Sequence, residues 1–180
     1  MEEPPESFAA ATSAPLETEA LGAALARGLR GRELIVLSGE LGAGKTVFVR
    51  GVARGLDVPA NVRVTSPTYV LQHTYSGGRL TLYHIDAYRL GGAADFENSG
   101  LRECLDDAGG AVCIEWPERI ADLPWPHDRI LVNIEHVDAQ HRRIAIRASG
   151  SIVRALQNET MKWKTQEENH VSQVQAQQEQ

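Results

Sequence analysis

The stretch GELGAGKT, residues 39–46, limits the possible folds of this chain more than any other feature. Gly39, Gly44, Lys45 and Thr46 satisfy the pattern G-x-x-x-x-G-K-[ST], in which backbone N–H groups surround phosphate oxygens at the start of a helix. The apolar run ELIVL before it is typical of a strand buried on both faces, and VFVRGVARGL after it has apolar residues at helical spacing. The order of strand, glycine-rich loop and helix predicts a P-loop nucleotide site.

Each position of this loop has a predicted role. The glycines let the backbone curl so that its N–H groups point at phosphate oxygens. Lys45 is expected to reach the β- and γ-phosphates, and the Thr46 hydroxyl is expected to be a Mg²⁺ ligand. The predicted nucleotide contacts are Gly39, Glu40, Leu41, Gly42, Ala43, Gly44, Lys45 and Thr46.

The use of lysine in this chain favours the same interpretation. The sequence has three lysines, and only Lys45 precedes residue 162. A guanine-specific GTPase recognises its base with an N-K-x-D loop, and no lysine lies between Thr46 and Met161 to build one. ATP is therefore the predicted nucleotide.

The charge of the chain lies mainly outside its centre. The formal net charge is −6, yet residues 21–150 hold fifteen acidic and fifteen basic residues, while residues 1–20 hold five Glu and no basic residue. The central region, residues 21–150, is neutral and has no Lys/Arg run, so it gives little support for direct, electrostatically driven RNA binding. No apolar run has the length of a membrane span, and the acidic N-terminus resembles no signal peptide. We expect a cytoplasmic protein that contacts RNA only through a partner.

Composition divides the chain into one domain and two tails. Residues 1–14 are rich in Ala, Pro and Glu and are predicted to be a disordered acidic tail. Residues 15–150 are predicted to form the P-loop ATPase domain. Residues 151–180 are rich in Gln and Glu and are predicted to be a disordered tail or a marginal helix.

The patterns around the loop predict a mixed sheet with helices. LETEALGAALARGL has the spacing of an amphipathic helix, GLRECLDDAG that of a short helix, and GAVCIEW that of a second buried strand. YVLQHTY with RLTLYHID, and RILVNIEHV with RRIAIRAS, are predicted hairpins. The fold class is α/β, a P-loop NTPase-like three-layer sandwich whose sheet has a parallel centre and antiparallel hairpins.

A metal-binding P-loop site requires an acid at the end of a neighbouring strand, and two predicted strands here end in an acidic residue. Glu115 ends AVCIE and is the predicted second Mg²⁺ ligand beside Thr46; Asp86 ends YHID and is its rival. If both face the nucleotide, one holds the metal and the other orients a water. His84 shares a strand face with Asp86 and is either structural or catalytic.

A hydroxyl-rich turn and a tryptophan complete the candidate site. The turn TSPTY follows the P-loop helix, where many NTPases have a loop that senses the γ-phosphate. Its predicted switch residues are Thr65, Ser66, Pro67 and Thr68. Trp116, next to Glu115, could be a core residue.

GELGAGKT, TSPTY, YHIDAYRL, GLRECL and IEWPERI occur in an order that resembles one family, TsaE (YjeE), from about Leu16 to Arg147. The resemblance implies a weak Mg²⁺-dependent ATPase, required with TsaB and TsaD for threonylcarbamoylation of the adenosine beside the anticodon in tRNAs reading ANN codons. It implies activation by a TsaB–TsaD complex, which performs the transfer. It also implies that Asp86 serves hydrolysis, that Trp116 faces a partner or packs in the site, and that residues 12–18 lie near the adenine.

Two other functions stay open from the sequence. A small P-loop kinase would transfer the γ-phosphate to a metabolite, but it normally has an arginine-bearing lid, and here the arginines are scattered. A nucleotide sensor would bind without hydrolysis, with no sequence feature that separates it from an ATPase.

Overall fold

The computed structural model describes residues 5–126 and 128–161. Its strands are β1 (Pro5–Thr12), β2 (Leu34–Ser38), β3 (Gln72–Tyr75), β4 (Thr81–Asp86), β5 (Gly110–Glu115), β6 (Ile130–His136) and β7 (Arg142–Ser149). Its helices are α1 (Pro15–Arg27), α2 (Lys45–Gly55), α3 (Ala93–Asn98), α4 (Glu103–Asp106) and α5 (residues 150–161). Two short 3₁₀ helices cover Ala87–Arg89 and Pro117–Ile120.

The strands form one seven-stranded sheet in the spatial order β1-β7-β6-β2-β5-β4-β3. The four central strands, β6, β2, β5 and β4, are parallel. At one edge β3 pairs antiparallel with β4, and at the other β7 pairs antiparallel with β6 and β1. The predicted parallel centre and both antiparallel hairpins are confirmed.

Each face of the sheet has its own apolar core. In β2, Ile35 and Leu37 pack in the cluster formed with α1, α2 and α5, whereas Leu34 and Val36 pack in the cluster formed with α3 and α4. Side chains of a strand alternate between the two faces, and a strand covered on both sides is apolar throughout. The three-layer α/β fold is thereby confirmed.

Helix α2 is held by close packing against α1. A Cβ at Gly51 would lie 1.9 Å from the carbonyl oxygen of Glu19, and one at Gly22 would lie 2.3 Å from that of Phe48. The two helix backbones therefore touch where no side chain fits. Because the P-loop continues directly into α2, this packing also fixes the position of the loop.

The ends of the domain differ from the sequence prediction. The predicted disordered tail over residues 1–14 is wrong for Pro5–Thr12, because these eight residues pair with β7 along its whole length, from Pro5 opposite Ser149 to Thr12 opposite Arg142. Residues 1–4 lie outside the described part of the chain.

The predicted C-terminal tail is helical in its described part, as one of its two predicted forms has it, but this helix is packed into the core and not marginal. Its first part belongs to α5, and Val153 and Leu156 of this helix are fully buried in the core. The prediction for residues 162–180 lies outside the described residues. The helix predicted over GLRECLDDAG is only the four-residue α4, and α3 was not predicted.

Over residues 5–126 and 128–161, every helix is too short or too polar to cross a membrane.

Candidate nucleotide site

The glycine-rich loop connects the end of β2 to the start of α2. Gly39 and Gly44 have φ angles of 145° and 109°, which residues with a side chain rarely adopt. At Gly39 a Cβ would also lie 2.3 Å from the carbonyl oxygen of Ile134, whereas at Gly44 the surrounding space is open. Backbone conformation therefore requires glycine at both positions, and Gly44 becomes the N-cap of α2. The amide groups of this helix start are left for an anion.

The ammonium group of Lys45 lies inside the loop. Its Nζ donates to the carbonyl oxygens of Gly39, at 2.6 Å, and Glu40, at 3.0 Å. It also lies 3.6 Å from the centroid of the Trp116 ring, a cation–π contact. Burial lowers the pKa of the Lys45 ammonium, while Glu115 raises it through its charge. Phosphate oxygens at this position would stabilise the charged form.

The carboxylate of Glu115 contacts the start of α2. Thr46 Oγ1 donates to Glu115 Oε1 at 2.9 Å, and Glu115 is 3% exposed. The contact arises because β5 is the parallel neighbour of β2, with Leu37 opposite Glu115, so both strands end at the same edge. The structure thus brings together the two residues that the sequence predicts as Mg²⁺ ligands. His84 Nε2 lies 2.8 Å from the same Oε1 atom.

The carboxylate of Asp86 lies opposite Glu115 in the register of β4 and β5, and it contacts the predicted switch loop. Asp86 Oδ2 accepts hydrogen bonds from Ser66 Oγ at 2.8 Å and from Thr68 Oγ1 at 2.5 Å. Asp86 Oδ1 accepts one from the Tyr88 backbone N–H at 3.0 Å, and the residue is 2% exposed. Asp86 is therefore held by the loop and Glu115 by the P-loop helix.

The other two switch-loop residues have different contacts. The Tyr75 hydroxyl lies 3.2 Å from both the backbone N and the backbone O of Thr65, and it bonds to each. His73 Nδ1 lies 3.2 Å from the same carbonyl oxygen. Pro67 is buried. The loop is thus fixed at its base by β3 and at its tip by Asp86.

Trp116 follows Glu115 in a left-handed conformation, with φ 62° and ψ 50°. Its ring centroid lies 5.1 Å from that of Tyr88, and the Arg119 guanidinium lies 4.9 Å from the centroid of the Tyr88 ring. With Lys45, these side chains form a column in which the two aromatic rings lie between two cations. Trp116 therefore packs against the site, and Tyr88 in this column is 45% exposed.

A groove of about 420 Å³ lies beside the loop. It is lined by Ser13, Ala14, Pro15, Thr18, Gly42, Ala43, Gly44, Val47, Ala139, Gln140 and Arg142. Its size is that of a small-ligand pocket. Arg142 Nε donates to the carbonyl oxygen of Ala43 at 3.1 Å, which ties the β6–β7 turn to the P-loop. The sequence indicated the segment before α1 but gave no signal for this turn, which is about a hundred residues away along the chain.

The donor set around Thr46 suits a magnesium ion that keeps phosphate and water ligands. Among the described residues, no group of three or more His, Cys, Asp and Glu side chains could hold a metal. The protein offers the Thr46 hydroxyl and the Glu115 carboxylate, both oxygen ligands, at the phosphate end of the loop. Magnesium is commonly bound by one or two protein oxygens with nucleotide phosphates and water.

A parallel-centred sheet whose inner strand leads through G-x-x-x-x-G-K-T into a helix defines the P-loop nucleotide-binding proteins. The contact between Thr46 and the acid at the end of the neighbouring strand, Glu115, is the one expected in that class.

Comparison with known proteins narrows the class to one family. The family model described as "Threonylcarbamoyl adenosine biosynthesis protein TsaE" matches residues 12–144, and the chain belongs to the TsaE family. It is 46% identical over 109 residues to a TsaE protein of Treponema pallidum, covering 60% of this chain and 78% of that protein. It is 35% identical over 138 residues to TsaE of Bacillus subtilis, covering 76% and 83%. The crystal structure of YdiB from Bacillus subtilis superposes with a TM-score of 0.69 at 27% identity, covering 89% of this chain and 98% of that one.

Proposed function

We propose that this protein binds and hydrolyses ATP as an accessory of TsaB and TsaD in the threonylcarbamoylation of tRNA. The observation that carries the proposal is the hydrogen bond between Thr46 and Glu115 at the start of α2, in a chain of the TsaE family. The relatives are named as tRNA threonylcarbamoyladenosine biosynthesis proteins. The chain itself is not the threonylcarbamoyl transferase, and the modified base is the adenosine beside the anticodon in tRNAs reading ANN codons.

The phosphates of ATP bind the loop and the adenine binds the adjacent groove. The phosphate oxygens accept hydrogen bonds from backbone N–H groups of residues 39–46. They also replace the carbonyl oxygens of Gly39 and Glu40 as acceptors for the Lys45 ammonium. The groove beside Gly42 reaches Ser13 and Thr18, the segment that the family resemblance places near the adenine.

Thr46 and Glu115 hold Mg²⁺, and Asp86 orients the attacking water. When bound, Mg²⁺ neutralises the charge that develops on the transferred phosphoryl group. Ser66, Thr68 and the Tyr88 N–H already take three of the roughly four acceptor positions of the Asp86 carboxylate, and movement of the switch loop would free the two positions on Oδ2 for water. This hydrogen-bonded state supports a weak ATPase that a partner activates.

The partner is a TsaB–TsaD complex, which also provides the contact with tRNA. The balanced charge of residues 21–150 gives no strong basic surface of the kind that binds RNA directly. Apolar side chains are exposed on both loops of the site: Leu41 of the P-loop is 84% exposed, and Tyr69 beside the switch residues is 88% exposed. Exposed apolar groups at a functional site suit protein contact. The assembly is expected in the cytoplasm.

Phosphate release from ATP tests the proposal. The protein is assayed alone and with TsaB–TsaD, using wild type, Lys45→Ala, and Arg54→Ala as a control that removes an exposed cation from the same helix. We expect slow release that the complex increases and that Lys45→Ala abolishes, while Arg54→Ala resembles wild type. Transfer of labelled γ-phosphate to a metabolite would instead indicate a kinase. Tight binding with no release, alone or in the complex, would indicate a sensor.

A further inference from the structure

We propose that His84 is a positioning residue that orients the Glu115 carboxylate for Mg²⁺. This inference rests on the proposed function, because it assumes that Glu115 is a metal ligand. His84 does not contact the metal or the nucleotide. Its role is to fix one oxygen of Glu115, so that the other oxygen faces the site in a single orientation.

The two hydrogen bonds of Glu115 meet on one atom. Oε1 accepts from Thr46 Oγ1 at 2.9 Å and lies 2.8 Å from His84 Nε2. Among the described residues, no hydrogen bond to Oε2 is found, and this atom is left for a metal or its water. The two donors come from α2 and β4, which are parts of the packed domain. The carboxylate is thus held from two sides by side chains of a helix and a strand.

The other ring nitrogen of His84 points to the same role. The His84 side chain is fully buried, and Nδ1 has no hydrogen-bond partner among the described residues. Since Glu115 accepts, Nε2 carries the proton and Nδ1 of a neutral ring has an unused lone pair. A buried polar atom without a partner costs stability, which an apolar side chain would avoid. Within residues 5–126 and 128–161, the bond to Glu115 is the one polar contact that the imidazole makes, so it explains why an imidazole is present.

The strand register produces this contact. His84 lies opposite Cys113 in the parallel pair of β4 and β5, and Glu115 is two residues further along β5 on the same face. Leu82, two residues before His84, is on this face as well and is fully buried in the α1–α2 core. Groups that hydrogen-bond to a metal-ligating side chain fix its orientation and raise metal affinity.

The test compares His84→Leu with His84→Gln, whose amide nitrogen can donate at nearly the position of Nε2. Leu82→Ala is the control, because it disturbs the same buried face of β4 without touching Glu115. Binding of a non-hydrolysable ATP analogue is measured by calorimetry at increasing Mg²⁺ concentrations and in EDTA. Phosphate release from ATP is measured on the same variants.

In His84→Leu, the Mg²⁺ concentration that gives half-maximal strengthening of analogue binding should rise about 10- to 100-fold, the usual effect of losing such a contact. Affinity in EDTA should stay as in wild type. His84→Gln should recover most of the Mg²⁺ response, and Leu82→Ala should keep it while lowering stability. If His84→Leu does not fold, His84→Asn replaces it, since its shorter amide should not reach Oε1.

An unchanged Mg²⁺ response in the folded His84 variant lacking the bond would overturn this inference and leave the proposed function intact. If His84→Gln and Leu82→Ala lose the Mg²⁺ response equally, the inference is also overturned. The loss would then result from disturbed packing of the core and not from the missing bond to Glu115. If wild type binds the analogue equally with and without Mg²⁺, both this inference and the proposed metal site fail.

Discussion

Asp86 and Glu115 are neighbours at the ends of β4 and β5, opposite each other in register, and they are equally buried at 2% and 3% exposure. They differ in what holds them. Glu115 is bonded to Thr46 and His84, side chains of a helix and a strand. Asp86 is bonded to Ser66 and Thr68, side chains of a loop, and to one backbone N–H.

We propose that this difference gives the two similar carboxylates separate tasks. A group held by packed elements has its geometry before any ligand arrives, as a metal ligand requires. A group held by loop hydroxyls changes its hydrogen bonds when the loop moves, as a group under the control of nucleotide or partner requires. The sequence showed both as rivals for the metal, and only the structure shows that Thr46 contacts Glu115.

The largest expected effect is that of Glu115→Gln. The amide oxygen can keep the bonds to Thr46 and His84, so the change removes mainly the charge on the proposed metal ligand. We expect phosphate release at saturating ATP and Mg²⁺ to fall about 1,000-fold, because metal stabilisation of the transition state contributes several kcal/mol. Glu103→Gln is the control, since Glu103 is an exposed acid of α4 outside the site. If Glu115→Gln released phosphate as fast as wild type, Glu115 would not hold the metal, and the proposed difference between Glu115 and Asp86 would be contradicted.

Asp86→Asn should have the next largest effect. Loss of the group that orients water should slow phosphate release roughly 100-fold, at the low end for such catalysis. Single-turnover measurement at saturating nucleotide separates this effect from binding, and affinity for the nucleotide should stay close to that of wild type. Asp57→Asn, at an exposed position, should leave the rate unchanged. Loss of nucleotide affinity with an unchanged rate would contradict the assignment of Asp86.

Removal of one switch-loop hydroxyl should lower stability. Thr68→Val keeps the shape of the side chain but leaves Asp86 Oδ2 with one donor fewer. Urea unfolding should show a loss of about 1.5–3 kcal/mol, the contribution of a hydrogen bond to a charged group. Thr68→Ser keeps a hydroxyl and should retain most of the stability. Equal free energies of unfolding for Thr68→Val and wild type would mean that the loop does not hold Asp86 in solution.

The smallest expected effect is the loss of stability when the contact at the base of the switch loop is removed. Tyr75→Phe removes the hydroxyl that bonds to the Thr65 backbone, and urea unfolding should show a loss of about 1 kcal/mol, typical of neutral hydrogen bonds. Tyr69→Phe is the control because the Tyr69 side chain is 88% exposed. If both variants lose the same stability, the contact between Tyr75 and Thr65 does not anchor the loop.

Local patterns in the sequence predicted the centre of the fold and the P-loop side of the site. Continuous apolar runs identified β2 and β5, and the glycine pattern identified the loop, because each is set by neighbouring residues. Thr46 and Glu115 could be predicted as a pair of metal ligands, because a P-loop site needs an acid at the end of a neighbouring buried strand.

Features that depend on distant pairing could not be predicted. The segment Pro5–Thr12 is rich in alanine with weak alternation and becomes a strand through its pairing with β7, far along the chain. The bonds from Ser66 and Thr68 to Asp86, and from His84 to Glu115, depend on the packing of elements that sequence patterns place only approximately. The same is true of Arg142 beside the P-loop.

The central claim is that Glu115, and not Asp86, holds the metal. Titration of Mg²⁺ against binding of a non-hydrolysable ATP analogue, in wild type, Glu115→Gln and Asp86→Asn, tests this claim most directly. The account predicts that Mg²⁺ strengthens binding to wild type and to Asp86→Asn, and that this strengthening is lost in Glu115→Gln. Loss of the Mg²⁺ response in Asp86→Asn, with the response retained in Glu115→Gln, would contradict it.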